Sequence, residues 1–426
     1  MLNHLRGHRE ESRAIFNGFL TIYLISIFPH PTSACSNGNC QLLDSCSMPT
    51  DCGPGLYCGN CPAMGAAQPI CTKGQGIEPT SIISGLPFNK YTWLVTHNSF
   101  SIVNAPLLNG VQRVTFYNQE DTVTNQLLNG VRGLMLDMYE FEGDVWLCHS
   151  LRGQCYNFTA FEPAINTLKE VEAFLSTNPT TIVTIIIEDY VHTPKRLMKL
   201  FTDAGLSKYW FPVSKMPRNG GDWPTVNDMV KDNYRLLVFT SIESKEADEG
   251  IAYQWRYMVE NEPGDPGVIQ GSCPNRRESW SLNSKKASLF LQNYFPTFPI
   301  EDQACKEHSV GLVELVSTCY KAAGNMMPNF LAVNFYMRSG GQGVFDAIDK
   351  MNGQNICGCS TVMACQAGAP VGSCKNMTTP NSNPTTSSNG GSFSGYVQLR
   401  SASIVNLPNS FLIYLFHLSL IVMLFL

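Results

Sequence analysis

Residues 181–187 read T-I-V-T-I-I-I, seven residues without a charge and every one β-branched. Branching at Cβ favours extended backbone. A strand apolar along its whole length must be covered on both faces, as the strands of a parallel sheet are. Six more short runs have this character, at residues 92–96, 133–138, 145–148, 235–240, 289–294 and 331–336. Helical spacing lies between them. Residues 161–176 carry Ile165, Leu168, Val171 and Leu175 three or four apart, and 196–204 and 310–321 also read as helices. This alternation over residues 77–351 predicts an α/β fold with a parallel sheet, and its length suits a (β/α)8 barrel. Seven strands instead of eight predict an irregular one. No internal repeat is visible.

Cysteine marks the flanks. Cys35, Cys40, Cys46, Cys52, Cys58, Cys61 and Cys71 crowd into residues 35–76, a stretch too short to bury a core of its own. Crosslinks must hold this module. Seven is odd, so at least one of these cysteines pairs outside the module or stays free. Cys58-Gly59-Asn60-Cys61 has the spacing of a metal or redox pair, but no second such pair and no histidine stands near it, which argues against zinc. A second cluster, Cys357, Cys359, Cys365 and Cys374, predicts a disulfide-tied cap over residues 352–377. The total of 16 cysteines is even and fits an oxidising compartment.

Both ends look like processing signals. Residues 16–28 are an apolar run behind Arg6, Arg9 and Arg13, followed by Thr32-Ser33-Ala34, which predicts a signal peptide over residues 1–34. At the other end, residues 411–426 are apolar and uncharged. A Ser/Thr/Asn/Gly-rich stalk over 378–410 precedes them. Small residues, a spacer and a greasy tail make a GPI-attachment signal, with Asn389 as one anchor candidate and Ser401–Ser403 as another small-residue site. The expected location is the outer leaflet of the cell membrane. The sequons at Asn157 and Asn376 would then be open to glycosylation. The net charge is −5 and no run of Lys or Arg stands out, so nucleic acid is not an expected partner.

The strand ends carry the chemistry. Residues 92–96 stop on His97, 133–138 carry Asp137 near their end, 145–148 stop on His149, and 181–187 stop on Glu188-Asp189. In a parallel barrel the C-terminal strand ends share one rim, where active sites are built. Two imidazoles and two or three carboxylates are therefore expected to converge. Of eight histidines, His4, His8, His30 and His417 lie in the terminal signals, while His192 and His308 have no such placement. A pair of imidazoles suits general acid–base cleavage of a phosphodiester, because both protonation states are accessible near neutral pH.

Four motifs, T-H-N-S-F at 96–100, G-V-R-G-L-M-L-D at 130–137, L-C-H-S at 147–150 and I-I-I-E-D at 185–189, resemble in order and spacing the X region of phosphatidylinositol-specific phospholipases C. The whole chain, including F-L-A-V-N-F-Y-M at 330–337, is similar to plant secreted members of that family. The resemblance implies a distorted TIM barrel of the PLC-like phosphodiesterase kind, with a small disulfide-rich N-terminal module. It also implies cleavage of an inositol phospholipid or related glycerophosphodiester through the inositol 2-hydroxyl. His97 matches the family's general base and His149 its general acid. Asn98, Asp137 and Glu188 match three calcium ligands of the calcium-dependent members.

Two departures stand out. Calcium-dependent members carry acid-x-acid where this chain has Met135-Leu136-Asp137, so one Ca2+ ligand is missing. Calcium-independent bacterial members place an arginine at the position of Asp137, and this chain lacks that too. Arg132, just before the strand, is expected to be structural. Asn334, Tyr336 and Arg338 lie near a late strand end and are candidates for touching a headgroup. The alternative to an enzyme is a surface protein that keeps the barrel to bind a headgroup, a glycan or another protein.

Overall fold

The computed structural model describes residues 35–376, apart from 66, 151–152, 266–270, 311 and 342. The predicted signal peptide, stalk, tail and anchor candidate Asn389 lie outside the described residues. In the N-terminal module, β1 (Leu56–Gly59) and β2 (Ile70–Lys73) form an antiparallel hairpin. Ten further strands follow: β3 (Trp93–Thr96), β4 (Val131–Phe141), β5 (Asp144–Cys148), β6 (Ala160–Pro163), β7 (Val183–Tyr190), β8 (Leu236–Thr240), β9 (Ala252–Tyr253), β10 (Met258–Glu260), β11 (Leu289–Tyr294) and β12 (Phe330–Val333).

Eight of these pair side by side, all parallel, in the order β10-β11-β12-β3-β4-β7-β8-β9. Laid flat, seven spacings of about 4.8 Å would hold the outer strands roughly 34 Å apart. Yet β9 ends at Tyr253 and β10 begins at Met258. Five residue steps reach at most about 18 Å. The sheet must therefore curl until its outer strands approach across one helical turn, Gln254–Tyr257. Among the described residues no ladder joins β9 to β10. The result is a distorted (β/α)8-type barrel closed by chain connectivity. Helices Ala164–Thr177, Arg196–Asp203, Leu312–Ala322 and Gly343–Cys357 cover its outside.

Two strand readings change. The run at 145–148 forms a strand, but β5 is antiparallel to β4 and belongs to a hairpin with β4 and β6, not to the barrel wall. The Glu142–Gly143 turn reverses the chain through two positive φ angles, 49° and 77°. Apolar content shows that a strand is buried and says nothing of its direction. The short wall strands β9 and β10 escape notice in the sequence because two or three residues carry no readable period.

The period of two in each wall strand sorts its side chains into two layers. Trp93, Val95, Ile186, Leu237, Phe239, Met258, Leu291, Phe330 and Ala332 belong to one buried cluster inside the barrel. Leu94, Leu134, Leu136, Ile185, Ile187, Leu236, Val238, Leu331 and Val333 belong to another, packed against Leu168, Val171 and Leu175 of the Ala164–Thr177 helix. The barrel lumen is narrow. A Cβ on Gly133 would stand 2.5 Å from Val95 Cγ2, so only glycine fits there.

All 16 cysteines form eight disulfides. Six of the seven in the module pair locally, and the odd one, Cys61, bonds Cys305 in the helix Glu301–Val310. The ion pair Lys73–Asp349 and the hydrogen bond from Arg338 Nη1 to Asn60 O (3.2 Å) tie the module to the same body. Cys58 is bonded to Cys46, so the Cys58–Cys61 pair offers no thiolates to a metal.

By parity, Asp189 faces the helix layer, away from the lumen. It is buried, accepts from Thr240 Oγ1 (2.6 Å) and the Val191 amide (3.0 Å), and pairs with buried Lys245 at 3.0 Å. Its place is structural. Asp189→Ala leaves the buried Lys245 ammonium with only the more distant Glu249 at 3.8 Å as a carboxylate partner, and should cost about 3 kcal/mol in urea unfolding.

Candidate active site

Following the lumen face of each wall strand two residues past its last apolar position gives one polar residue per strand. Val95 leads to His97, Met135 to Asp137, Ile186 to Glu188, Phe239 to Ser241, Ala252 to Gln254, Met258 to Glu260, Leu291 to Asn293 and Ala332 to Asn334. All eight stand at the C-terminal mouth. A cavity there is lined by His97, Met135, Asp137, Glu188, Ser241, Gln254, Trp255, Glu260 and Arg276 among others.

His97 leaves β3 with its amide still donating to Val333 O (3.0 Å). Its ring stacks on Phe295, centroids 3.8 Å apart and planes 4° from parallel. Nδ1 lies 2.9 Å from Asn334 Oδ1, which also accepts from Asn118 Nδ2 (3.0 Å). Asn118 Nδ2 also approaches Nδ1, at 3.3 Å, but the shorter contact is to the Asn334 amide oxygen, which can only accept, and it assigns the proton to Nδ1 and leaves Nε2 a lone pair. Burial pushes the imidazole pKa down to about 3, the hydrogen bond to Asn334 opposes this, and the charge of His149 adds to the fall. His97 is a neutral base at physiological pH.

His149 arrives by a different route. The pairing of Met138 with Leu147 brings β5 back down beside β4, so His149 ends level with the residues around Asp137. The Cys148–Cys155 disulfide pins this return. Nδ1–H donates to Phe116 O (3.0 Å), leaving Nε2 for chemistry. Burial lowers this pKa too, but the Phe116 carbonyl and the charge of Glu188 both favour the imidazolium. His149 acts on His97 electrostatically but is not among the residues that line the cavity, and the two differ in support: an amide oxygen for His97, a backbone carbonyl and the field of Glu188 for His149.

Asp137 and Glu188 are register partners on β4 and β7. Burial and the neighbouring Glu188 hold the Asp137 carboxyl well above its ordinary range, with Arg276 pulling the other way. Tyr190 OH donates to Glu188 Oε1. Glu260 is fully buried and accepts from Gln254 Nε2 (2.8 Å), Trp255 Nε1 (2.8 Å), Asn293 Nδ2 (2.9 Å) and Arg276 Nη1 (3.1 Å). Four donors make this a fixed carboxylate.

Calcium needs six to eight oxygens. Asn98 sits at φ 43° with its side-chain oxygen buried and unpartnered among the described residues, as a ligand's would be. Asp137 and Glu188 add two carboxylates. Against this, Met135 brings apolar surface to the same cavity, and the guanidinium of Arg276 acts on both carboxylates. Asn98 is not among the residues lining the cavity, and two carboxylates beside a fixed guanidinium do not fit a calcium site.

The remaining predicted residues separate. Asn334 reaches the cavity by orienting His97. Tyr336 does not: its hydroxyl donates to Asp121 Oδ2 (2.7 Å), accepts from Asn129 (2.9 Å), and its ring is core. Arg338 is also elsewhere, bonded to Glu120 (2.7 Å) and Glu301 (3.0 Å). Both lie beyond β12, where the chain has left the wall and parity no longer applies. Arg132 is structural, paired with Glu78 at 2.8 Å. His308 is buried with Nδ1 on Arg338 O (3.0 Å), and His192 is exposed. Asn157 and Asn376 are exposed. The sequence reading missed Ser241, Gln254, Glu260, Asn293 and Arg276. Strand parity marks Ser241 and Asn293, whose strands are legible in the sequence, and no local pattern marks Gln254, Glu260 or Arg276.

Residues 88–336 match the PI-PLC X 1 family. A PI-PLC X domain-containing protein of Arabidopsis thaliana is 68% identical over 95% of this chain and 96% of its own length. An uncharacterized secreted protein of Arthroderma benhamiae is 24% identical over 59% of this chain and 60% of its own. Among solved structures, a mutant phosphatidylinositol-specific phospholipase C from Staphylococcus aureus aligns with TM-score 0.41 and 12% identity, covering 64% of this chain and 94% of that one. The enzyme from Listeria monocytogenes aligns with TM-score 0.39 and 14% identity, covering 60% and 92%. The match over most of the barrel and the near full-length plant relative together establish that this chain belongs to the PI-PLC X domain family.

Proposed function

We propose that the chain is a phosphoric diester hydrolase that cleaves an inositol phospholipid or a related glycerophosphodiester. One arrangement supports this reading: an imidazole at His97 held through Nδ1 by Asn334 with Nε2 bare at the mouth, and a second imidazole at His149 held through Nδ1 by the Phe116 carbonyl with its own Nε2 left over. His97 Nε2 takes the proton of the inositol 2-hydroxyl, whose oxygen attacks phosphorus. As the new P–O bond forms, the bond to the glycerol oxygen breaks, and His149 Nε2–H protonates that leaving oxygen. The products are a cyclic inositol phosphate and diacylglycerol, and solvent returns both histidines to their starting states. Asn334 positions His97 and keeps its tautomer. The eight disulfides support passage through the secretory pathway. The apolar tail behind the stalk supports a GPI anchor on the outer leaflet, which would place the barrel beside its lipid.

The test offers the oxidised full chain phosphatidylinositol, a GPI-type glycolipid and glycerophosphoinositol, with calcium and with chelator. His97→Ala and His149→Ala should each lower kcat/KM by about 10²–10⁴. A folded wild type that turns over none of these diesters would leave the binding-protein reading, which Met135 in the cavity favours.

The pH profile follows from the two shifts. His97 must be neutral, which holds above about 3. His149 must be protonated, and its pKa lies below 6.5. The profile of kcat/KM, which reports the free enzyme, should be a bell on the acid side whose alkaline limb begins to fall below pH 6.5. An optimum above pH 8 would overturn His149 as the acid.

A further inference from the structure

A phosphodiester entering this cavity brings a negative charge to a place that already holds Glu188, Glu260 and Asp137. Its reaction adds more charge on the non-bridging oxygens. Something cationic has to face those oxygens, and neither the β4 position of Met135 nor that of Asp137 supplies it.

Among the described residues that line the cavity, Arg276 is the one arginine or lysine, and His97 beside it is neutral. It comes from no wall strand. After β10 the chain makes an excursion and returns antiparallel to itself. Asn261 bridges Asn275, the Glu262 amide donates to Pro274 O (2.8 Å), and the Arg276 amide donates to Glu260 O (3.0 Å). The Cys273–Cys319 disulfide fastens the returning limb to the helix Leu312–Ala322. The side chain is as firmly held as the backbone. Nη1 donates to buried Glu260 (3.1 Å), Nε donates to Glu278 (3.1 Å), and the guanidinium lies 5.0 Å from the Trp255 ring centroid. Nη2 has no acceptor among the described residues. A guanidinium fixed through two nitrogens, with the third left over, is preorganised to donate to a phosphate oxygen.

Resting on the diesterase reading, we infer that Arg276 is the phosphate-binding cation of this site, donating from Nη2 to a non-bridging oxygen of the substrate, and that the reaction needs no calcium. Glu260 is its positioning residue, held by its other three donors. Arg276 lines the same cavity as Glu188 and Asp137, and its charge opposes the repulsion those carboxylates would exert on the substrate.

The experiment compares wild type, Arg276→Gln and Arg276→Lys in EDTA and with added calcium. One readout is kcat/KM on glycerophosphoinositol. Another is calorimetric binding of glycerophosphoinositol in a His97→Ala background. Wild-type turnover should be indifferent to EDTA. Arg276→Gln should lose about 10²–10³ in kcat/KM, the scale of one lost transition-state donor, and weaken binding at least about tenfold, while the pH profile keeps its shape. Arg276→Lys should recover part of both, because charge returns without the planar fork. Should Arg276→Gln unfold, as judged by its melting temperature, Arg276→Lys decides alone by a loss of about tenfold in binding. Activity within threefold of wild type in Arg276→Gln would overturn the inference. So would wild-type activity abolished by EDTA and restored by calcium. If wild type turns over nothing, the diesterase reading fails, and the binding arm still judges Arg276: unchanged or absent binding in both backgrounds would sink it.

Discussion

A side chain that follows the last apolar lumen position of a parallel wall strand has one place to go, the barrel mouth. Strand period places it on the inner face, and the common direction of the eight strands places it at the same end as its counterparts. The rest of the site depends on this. Eight strands of unrelated local sequence deliver His97, Asp137, Glu188, Ser241, Gln254, Glu260, Asn293 and Asn334 to one ring. The apolar plug beneath them, from Trp93 to Phe330, closes the lumen. Water is therefore confined to the mouth, and the polar ring works in a medium of low dielectric.

That medium sorts the ring by how each group is satisfied. Glu260 receives four donors and stands as a structural charge. Asp137 has no such donors among the described residues, and burial beside Glu188 moves it toward its neutral form. His97 has an amide oxygen for company, which orients a neutral imidazole but does little to keep a charged one. His149 has the field of Glu188. The proposed division of labour between base and acid thus rests on a difference in hydrogen-bond partners. It arises without either histidine differing in its intrinsic chemistry.

The flanking cysteine clusters serve the same mouth at a distance. Cys61–Cys305 joins the module to a helix of the barrel, and Cys273–Cys319 fixes the limb that carries Arg276. Crosslinks of this kind restrict the unfolded chain more than they strengthen the folded one. Here they also hold loop-borne groups to a wall whose own strands are too short, at β9 and β10, to do so by hydrogen bonding.

Local pattern alone determined much of this protein. Apolar runs marked six of the eight wall strands, the ends of those runs marked His97, Asp137 and Glu188, and an odd count of cysteines required a bond leaving the module. These are legible because burial and period act over a few neighbouring residues. The direction of β5, and with it the route by which His149 reaches the rim, was decided by a turn and a ladder. Tyr336 and Arg338 look alike in sequence to rim residues, and only packing sends them to the core and to the module. Arg276 was decided wholly by tertiary structure: it follows an excursion pinned by a disulfide, and nothing in the residues beside it announces a phosphate. The physical reason is range. Secondary structure is set by neighbours in the chain, whereas the partner of a charge is whatever the fold brings near.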